Sequence, residues 1–346
     1  MAHKLAFIGF GGVGQGLANI IKTKGSWLKE QFGTDFQVVS IADLYKGSLH
    51  HPEGLNVEKV LNTLQEHGSL EHYPEEAGLI RGWDSMTTIE KSNADTMIEI
   101  TFTDVHTGQP AIDHCKKAFE SGKNAVLTNK GPVALAYQHL KHLADENNVR
   151  FLFEGTVMSG TPALRMPLVS LAGNEINEIR GIFNGTTNYM LTKMEDGMSF
   201  ESALEEAQSK GYAEADPTSD IEGYDVLYKV VILANVVMNE PLRKEDVACR
   251  GISHLTPEDM KQAAKEGKKW KLLGKIKKTD GRVEASVEPE KIEEDDPLAG
   301  ISGSLNAVTY DCDLSGPVTL IGAGAGISET GFALLIDLIN LERKNM

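Results

Sequence analysis

Apolar and polar positions along the first 150 residues alternate between two rhythms. Short apolar runs at 4–10 (KLAFIGF), 36–42 (FQVVSIA), 95–101 (DTMIEIT), 124–128 (NAVLT) and 150–154 (RFLFE) read as buried strands. Between them lie longer segments of helical character, at 15–23, 57–66, 109–121 and 134–147. Strands alternating with helices predict a parallel, doubly wound sheet. After residue 155 the rhythm changes. Strands are expected at 176–183, 271–278, 282–288, 306–311 and 317–321, and helices at 187–194, 200–210, 224–238 and 257–270. Ser199 is placed to cap the helix over 200–210. The tail from 327 is amphipathic and helical. The pattern predicts an α/β chain: a Rossmann-type doubly wound parallel sheet over 1–154 and an α+β domain over 155–326, with the helix 327–346 returning to the first domain.

Composition narrows the choice of partner. Of 346 residues, 41% are hydrophobic and 24% charged, as in ordinary globular proteins. Lys and Arg number 34 against 50 Asp and Glu, and the net charge of −16 argues against nucleic acid or an anionic membrane. The apolar stretch Val226 to Met238 is broken by Lys229 and Asn235, so no membrane span is expected, and no signal peptide is visible. Three scattered cysteines form no Cys-x-x-Cys pair and fit a reducing cytoplasm.

The clearest chemical signal follows the first strand. Gly9-Phe10-Gly11-Gly12-Val13-Gly14 fits G-x-G-x-x-G and opens a helix. Gly9 permits the tight turn, Gly11 lets backbone approach a pyrophosphate, and Gly14 lets the helix pack near the strand. The helix N-terminus attracts the anion. Asp43 ends the second strand. It lies further on than the usual interval of about 20 residues, and the long helix and loop over 15–35 account for the excess. A carboxylate there would bond the ribose hydroxyls of NAD and repel a 2′-phosphate, so NAD is favoured over NADP, with nearby Lys46 weakening the discrimination.

Two lysines stand out. Lys130 follows the strand over 124–128 and precedes Gly131-Pro132. It is expected on an exposed turn facing the crevice at the strand ends, since the helix is not expected to start before Pro132. Lys229 lies in a helix that is apolar on nearly every face. A buried ammonium is costly unless paired, and Asp225, four residues earlier, shares its face. The pair is read as a catalytic lysine with its orienting carboxylate, against a purely structural ion pair. The preceding loop, 211–223, carries Glu214, Asp216, Asp220 and Glu222 and no base, as a receptor for an ammonium group would. Asn184-Gly185-Thr186-Thr187-Asn188 is a compact polar turn that either binds a small polar ligand or caps a helix. The turn Glu154-Gly155-Thr156-Val157-Met158-Ser159-Gly160-Thr161 offers carbonyls and one carboxylate to a monovalent cation. His139 and His142 are expected on the surface, and His50 and His51 receive no role.

Taken in order, the glycine motif, Thr128-Asn129-Lys130, Glu154-Gly155-Thr156-Val157, the 184–189 turn, the 211–229 block, Asn306-Ala307-Val308 and Gly322-Ala323-Gly324-Ala325-Gly326 resemble homoserine dehydrogenase over nearly the whole chain. The resemblance implies NAD(P)-dependent interconversion of L-homoserine and L-aspartate 4-semialdehyde, on the route to threonine, isoleucine and methionine. It implies that Lys229 and Lys130 are the active-site lysines and that Glu214, Asp220 and Asp225 surround the substrate, with Gly185 and Thr186 beside it. Gly9, Gly11, Gly12, Val13, Gly14, Asp43, Thr101, Lys130 and Gly326 fall in the cofactor set. Glu154, Val157, Ser159 and Thr161 resemble a sodium site near a dimer-forming region, which makes a homodimer the expected assembly. The chain is read as a short form without the regulatory ACT domain, and it carries a polar insertion around 47–80. The alternatives are another amino-acid dehydrogenase, such as aspartate dehydrogenase, and a non-catalytic nucleotide sensor. The 211–229 block argues against the first and the two lysines against the second.

Overall fold

A computed structural model describes residues 2–104, 106–279 and 281–342. In chain order the elements are β1 (His3–Ile8), α1 (Gly12–Phe32), β2 (Phe36–Asp43), β3 (Gly47–His50), α2 (Val57–His67), β4 (Ile80–Arg81), α3 (Ser85–Lys91), β5 (Thr96–Glu99), α4 (Ala111–Glu120), β6 (Asn124–Leu127), α5 (Lys130–Glu146) and β7 (Phe151–Leu152). Then come β8 (Ile176–Ile182), α6 (Gly185–Glu195), α7 (Phe200–Ser209), α8 (Thr218–Ile221), α9 (Tyr224–Val236), β9 (Ala248–Cys249), α10 (Pro257–Lys265), β10 (Lys268–Thr279), β11 (Arg282–Glu293), β12 (Leu305–Cys312), β13 (Gly316–Ala323) and α11 (Ile327–Glu342). They form two compact units, Met1–Thr156 with Gly326–Met346, and Val157–Ala325.

The first unit is a Rossmann-type sheet in the order β4-β3-β2-β1-β5-β6-β7. Strands β2, β1, β5, β6 and β7 pair in parallel. After β1 the chain moves outward to β2, and after β5 it moves the other way to β6. The order therefore reverses between β1 and β5, where ligands of such sheets bind. The 47–80 segment is more than an insertion: β3 and β4 extend the sheet as antiparallel edge strands. Their brevity hides them from periodicity. The core joins Phe7, Leu17, Ile21, Val38, Ile98 and Val126 to Leu334, Leu338 and Ile339 of α11, which packs on α1. The last turn expected for that helix, 343–346, lies outside the described residues.

Helix α5 begins at Lys130, not after Pro132. Proline at the third helical position gives up an N–H that has no intrahelical partner there. Lys130 is accordingly half-buried. Ala136 departs from helical dihedrals (φ −142°, ψ 17°), and the helix bends there.

The second unit is a six-stranded sheet in the order β13-β12-β8-β10-β11-β9, antiparallel apart from the short β11–β9 pairing. Helix α9 lies on β10 and β11, and α6 on β10 and β12. Ser199 accepts from the Ser202 N–H and caps α7 as its position suggested.

Leu338 is fully buried among residues of α1 and the sheet. Leu338→Ala is expected to destabilise the protein by about 2–5 kcal/mol, read as a lower urea midpoint at unchanged slope.

Candidate active site

The glycine motif forms a tight connection at the end of β1. Gly9 has φ +84°, and a Cβ on it would lie 2.8 Å from the Ile100 carbonyl oxygen. A Cβ on Gly14 would meet Ile100 Cδ1 at 2.6 Å. Gly11, by contrast, faces open space, as backbone that must receive a bulky anion requires. It caps α1 without a side-chain bond, and the first turn, with Gly12 and Val13, holds no acidic residue. The first turn's N–H groups are therefore not satisfied by a cap of the protein's own, which fits a pyrophosphate.

Asp43 does something the sequence did not suggest. Its Oδ2 accepts the Phe10 N–H at 2.7 Å, and its Oδ1 accepts those of Lys46 and Tyr45 at 2.9 and 3.0 Å. Burial pushes the carboxyl up, but these backbone bonds, with help from the Lys46 charge, outweigh it and hold the group below the ordinary range. Lys46 Nζ stands 3.9 Å away. The carboxylate thus anchors the glycine loop to the end of β2, which leaves it little capacity for ribose hydroxyls.

Asn129 links the next two strand ends. Its Nδ2 donates to the Thr101 carbonyl (3.2 Å), Thr101 Oγ1 (3.3 Å) and the Phe102 carbonyl (3.3 Å). Its Oδ1 accepts the Gly131 N–H at 3.0 Å and caps α5. Thr101, Phe102, Asn129 and Gly131 therefore form one hydrogen-bonded corner, with Lys130 between the last two in the chain. Gly326 begins the chain's return to the first unit at φ +140°.

In the second unit the polar cluster surrounds α9, where Val226 through Val236 are all buried, Lys229 among them. Lys229 Nζ donates to Asp225 Oδ2 at 2.6 Å and to the Phe183 carbonyl at 2.5 Å. Two of its three N–H groups are thus placed. Asn184 Nδ2 bridges Asp220 Oδ1 (2.7 Å) and Asp225 Oδ2 (3.0 Å). Asn184 Oδ1 meanwhile accepts the Thr187 N–H and caps α6. The 184–188 turn is therefore both a cap and a side of the cluster. Thr186 donates to the Tyr212 carbonyl at 2.6 Å, which ties the acidic loop to α6. Gly185 packs so closely on the Ser304 carbonyl that a Cβ would lie 2.6 Å from it. Burial, and then the Asp225 charge, push the Asp220 carboxyl above its usual range, against the Asn184 bond that lowers it. Glu214 is exposed and its carbonyl is held by Gln208.

These findings meet the comparisons with known proteins. Residues 162–339 match the homoserine dehydrogenase family. The NAD(+)-dependent homoserine dehydrogenase of Pseudomonas canavaninivorans is 43% identical over 99% of this chain and 96% of its own length. The homoserine dehydrogenase of Methanocaldococcus jannaschii is 41% identical over 97% and 98%. The chain belongs to the homoserine dehydrogenase family. A putative homoserine dehydrogenase from Archaeoglobus fulgidus superposes with a TM-score of 0.88 at 33% identity, covering 98% of this chain and 99% of that one. A hyperthermophilic archaeal homoserine dehydrogenase in complex with NADPH gives 0.84 at 29% identity, covering 100% and 99%.

The expected cation set is Glu154, Val157, Ser159 and Thr161. Glu154 and Ser159 are buried, Met158 and Ser159 both have positive φ (57° and 54°), and Thr161 donates to the Ala323 carbonyl at 3.0 Å. Among the described residues no group of three or more His, Cys, Asp or Glu side chains could hold a metal, so any ion there would depend on main-chain oxygens. Asn184 and Asn129 are the bridging residues the sequence undervalued. Each stood in a motif, but its two-sided bonding appears only in three dimensions.

Since the fold raises the Asp220 carboxyl, ionised Asp220 destabilises the native state at neutral pH. Asp220→Asn is expected to raise Tm at pH 7. The difference should shrink as pH falls through the native carboxyl's range and vanish below the unfolded value, which thermal melts over that window would follow.

Proposed function

We propose that the protein interconverts L-homoserine and L-aspartate 4-semialdehyde with NAD(P), and that Lys229 is its proton donor and acceptor. The observation that carries this is the buried Lys229 ammonium, fixed by Asp225 and the Phe183 carbonyl beside the Asn184-bridged carboxylates. The first unit is the dinucleotide-binding half and the second the substrate half.

When bound, the nicotinamide would supply or accept the hydride. Gly9, Gly11, Gly12, Val13 and Gly14 would hold the pyrophosphate, with Thr101, Lys130 and Gly326 as further contacts. The reduced aldehyde develops negative charge on oxygen, and a preorganised ammonium stabilises it and delivers a proton. Lys229 has one N–H left for that oxygen. Asp225 keeps the ammonium in one orientation, and Lys130, the other lysine that the family resemblance assigns to the active site, takes the polarising role. Asp220 and Glu214 receive the α-ammonium of the substrate, with Gly185 and Thr186 forming the floor.

Sodium at Glu154, Val157, Ser159 and Thr161 is part of the same reading and rests on the family resemblance. A homodimer is supported by the apolar side chains that the second unit leaves exposed, Leu168, Val169, Leu314 and Ile321. No helix among the described residues is long and apolar enough to cross a membrane. Free Cys115, Cys249 and Cys312 support a cytoplasmic setting.

The test is NAD(P)H formation on adding homoserine, with NAD and NADP side by side. Lys229→Met is expected to lower kcat by at least about 100-fold with NADH affinity retained, and a loss under tenfold would remove Lys229 from the proton transfer. NAD is the preferred cofactor in this reading, supported by the relative of that name. Asp43→Ala is expected to raise KM for both cofactors about tenfold, the scale of one lost charge-assisted bond. A shift confined to the NAD:NADP ratio would instead place its carboxylate on the ribose.

A further inference from the structure

Glu99 ends β5, the strand beside the sheet's reversal point, and is fully buried. It stands level with Ile8 of β1 and Leu127 of β6, so it lies between the strand that enters the glycine loop and the one that leads to Lys130. A carboxylate accepts only. Oε1 takes the Thr101 N–H at 2.8 Å and the Thr101 hydroxyl, and Oε2 takes His114 Nδ1 at 2.6 Å. His114, on α4, is itself buried, and its Nε2 is 2.8 Å from Ser85 Oγ at the start of α3. With its proton given to Glu99, Thr101 Oγ1 accepts from Asn129 Nδ2, and Asn129 Oδ1 accepts from Gly131.

The bonds thus run without a break from Ser85 through His114, Glu99, Thr101 and Asn129 to the first turn of α5. As a means of holding helices on a sheet this is a poor choice. A buried polar pair must offset the desolvation of its groups, which apolar side chains of similar volume avoid, and the rest of β5 is apolar or sealed. What the polar chain adds is direction at the two loops that follow β5 and β6.

We propose that Glu99 and His114 are positioning residues for the reaction, setting the Thr101–Phe102 turn and, through Asn129, the placement of Lys130. This rests on the reading above, in which those strand ends serve cofactor and substrate.

The experiment compares native protein with Glu99→Ala, Glu99→Gln and His114→Leu in steady-state kinetics and thermal melts. A displacement of about 1 Å in a positioned group can cost up to 100-fold. Glu99→Ala and His114→Leu are therefore expected to lose about 10- to 100-fold in kcat with KM for homoserine within about threefold. Glu99→Gln keeps an acceptor for Thr101 and is expected to recover most of the loss. Should Glu99→Ala fail to fold, His114→Leu, which leaves Thr101 bonded, carries the comparison. Folded variants with lowered Tm but kcat within twofold of native would overturn the proposal and leave only a structural tie. Native protein without homoserine turnover would instead sink the underlying reading, a result that needs no variant.

Discussion

An ammonium in the middle of an apolar helix must find acceptors or neutralise. Lys229 sits among eleven successive buried residues, and that single constraint organises the second unit. Its first acceptor, Asp225, comes from the preceding turn of the same helix and also accepts the Asn184 amide. The second is the Phe183 carbonyl, just beyond β8, and this bond locks the end of the strand to α9. Asn184 then cannot move far. Its amide lies against Asp225 and reaches Asp220, while its carbonyl caps α6. The charge proposed to serve the chemistry is also the charge that sets strand end, helix start and acidic loop in register with one another.

The same residue type is driven in opposite directions at two points of the chain. Both Asp43 and Asp220 are desolvated, which raises a carboxyl. Asp43 meets three main-chain N–H groups and ends below its ordinary range, whereas at Asp220 burial and the Asp225 charge outweigh the Asn184 and Thr186 bonds and the Lys229 charge, and it ends above. The difference follows from what surrounds them. A strand-end turn offers unpaired N–H donors for the taking, and stable anchoring results. In the proposed reading the second cluster receives a cationic group, and acids kept that close together raise one another's carboxyls even with Lys229 beside them.

Much of this was legible in the sequence. The glycine motif identified its own strand and helix, because each glycine answers a steric need that one turn imposes. The Asp225–Lys229 pair was readable because a helix brings i and i+4 together and because the surrounding residues are apolar. Features that depend on distant partners were not. The start of α5 at Lys130 was obscured by Pro132, whose usual meaning as a breaker does not hold in a first turn. β3 and β4, at four and two residues, are too short to show alternation and exist through pairing with β2. Asp43 was recognised as a strand-end carboxylate, yet its partners are set by the path of the loop from Gly9, which no spacing rule encodes.

Buried polar residues at strand ends illustrate why such features escape a one-dimensional reading. Within the string Thr96-Met97-Ile98-Glu99-Ile100-Thr101, Glu99 looks like an ordinary solvent-facing position in an alternating strand. In a parallel sheet covered by helices on both faces there is no solvent-facing side, so a charged residue there is either an error of assignment or a commitment. Its neighbours decide which. Thr101 lies two residues on and His114 fifteen, and neither has a sequence signature as a partner. A carboxylate at the carboxyl end of a central strand in a doubly wound sheet therefore calls for the same scrutiny as the glycine motif. Solvation cannot explain its presence, and the loops that follow such strands are where these folds place their ligands.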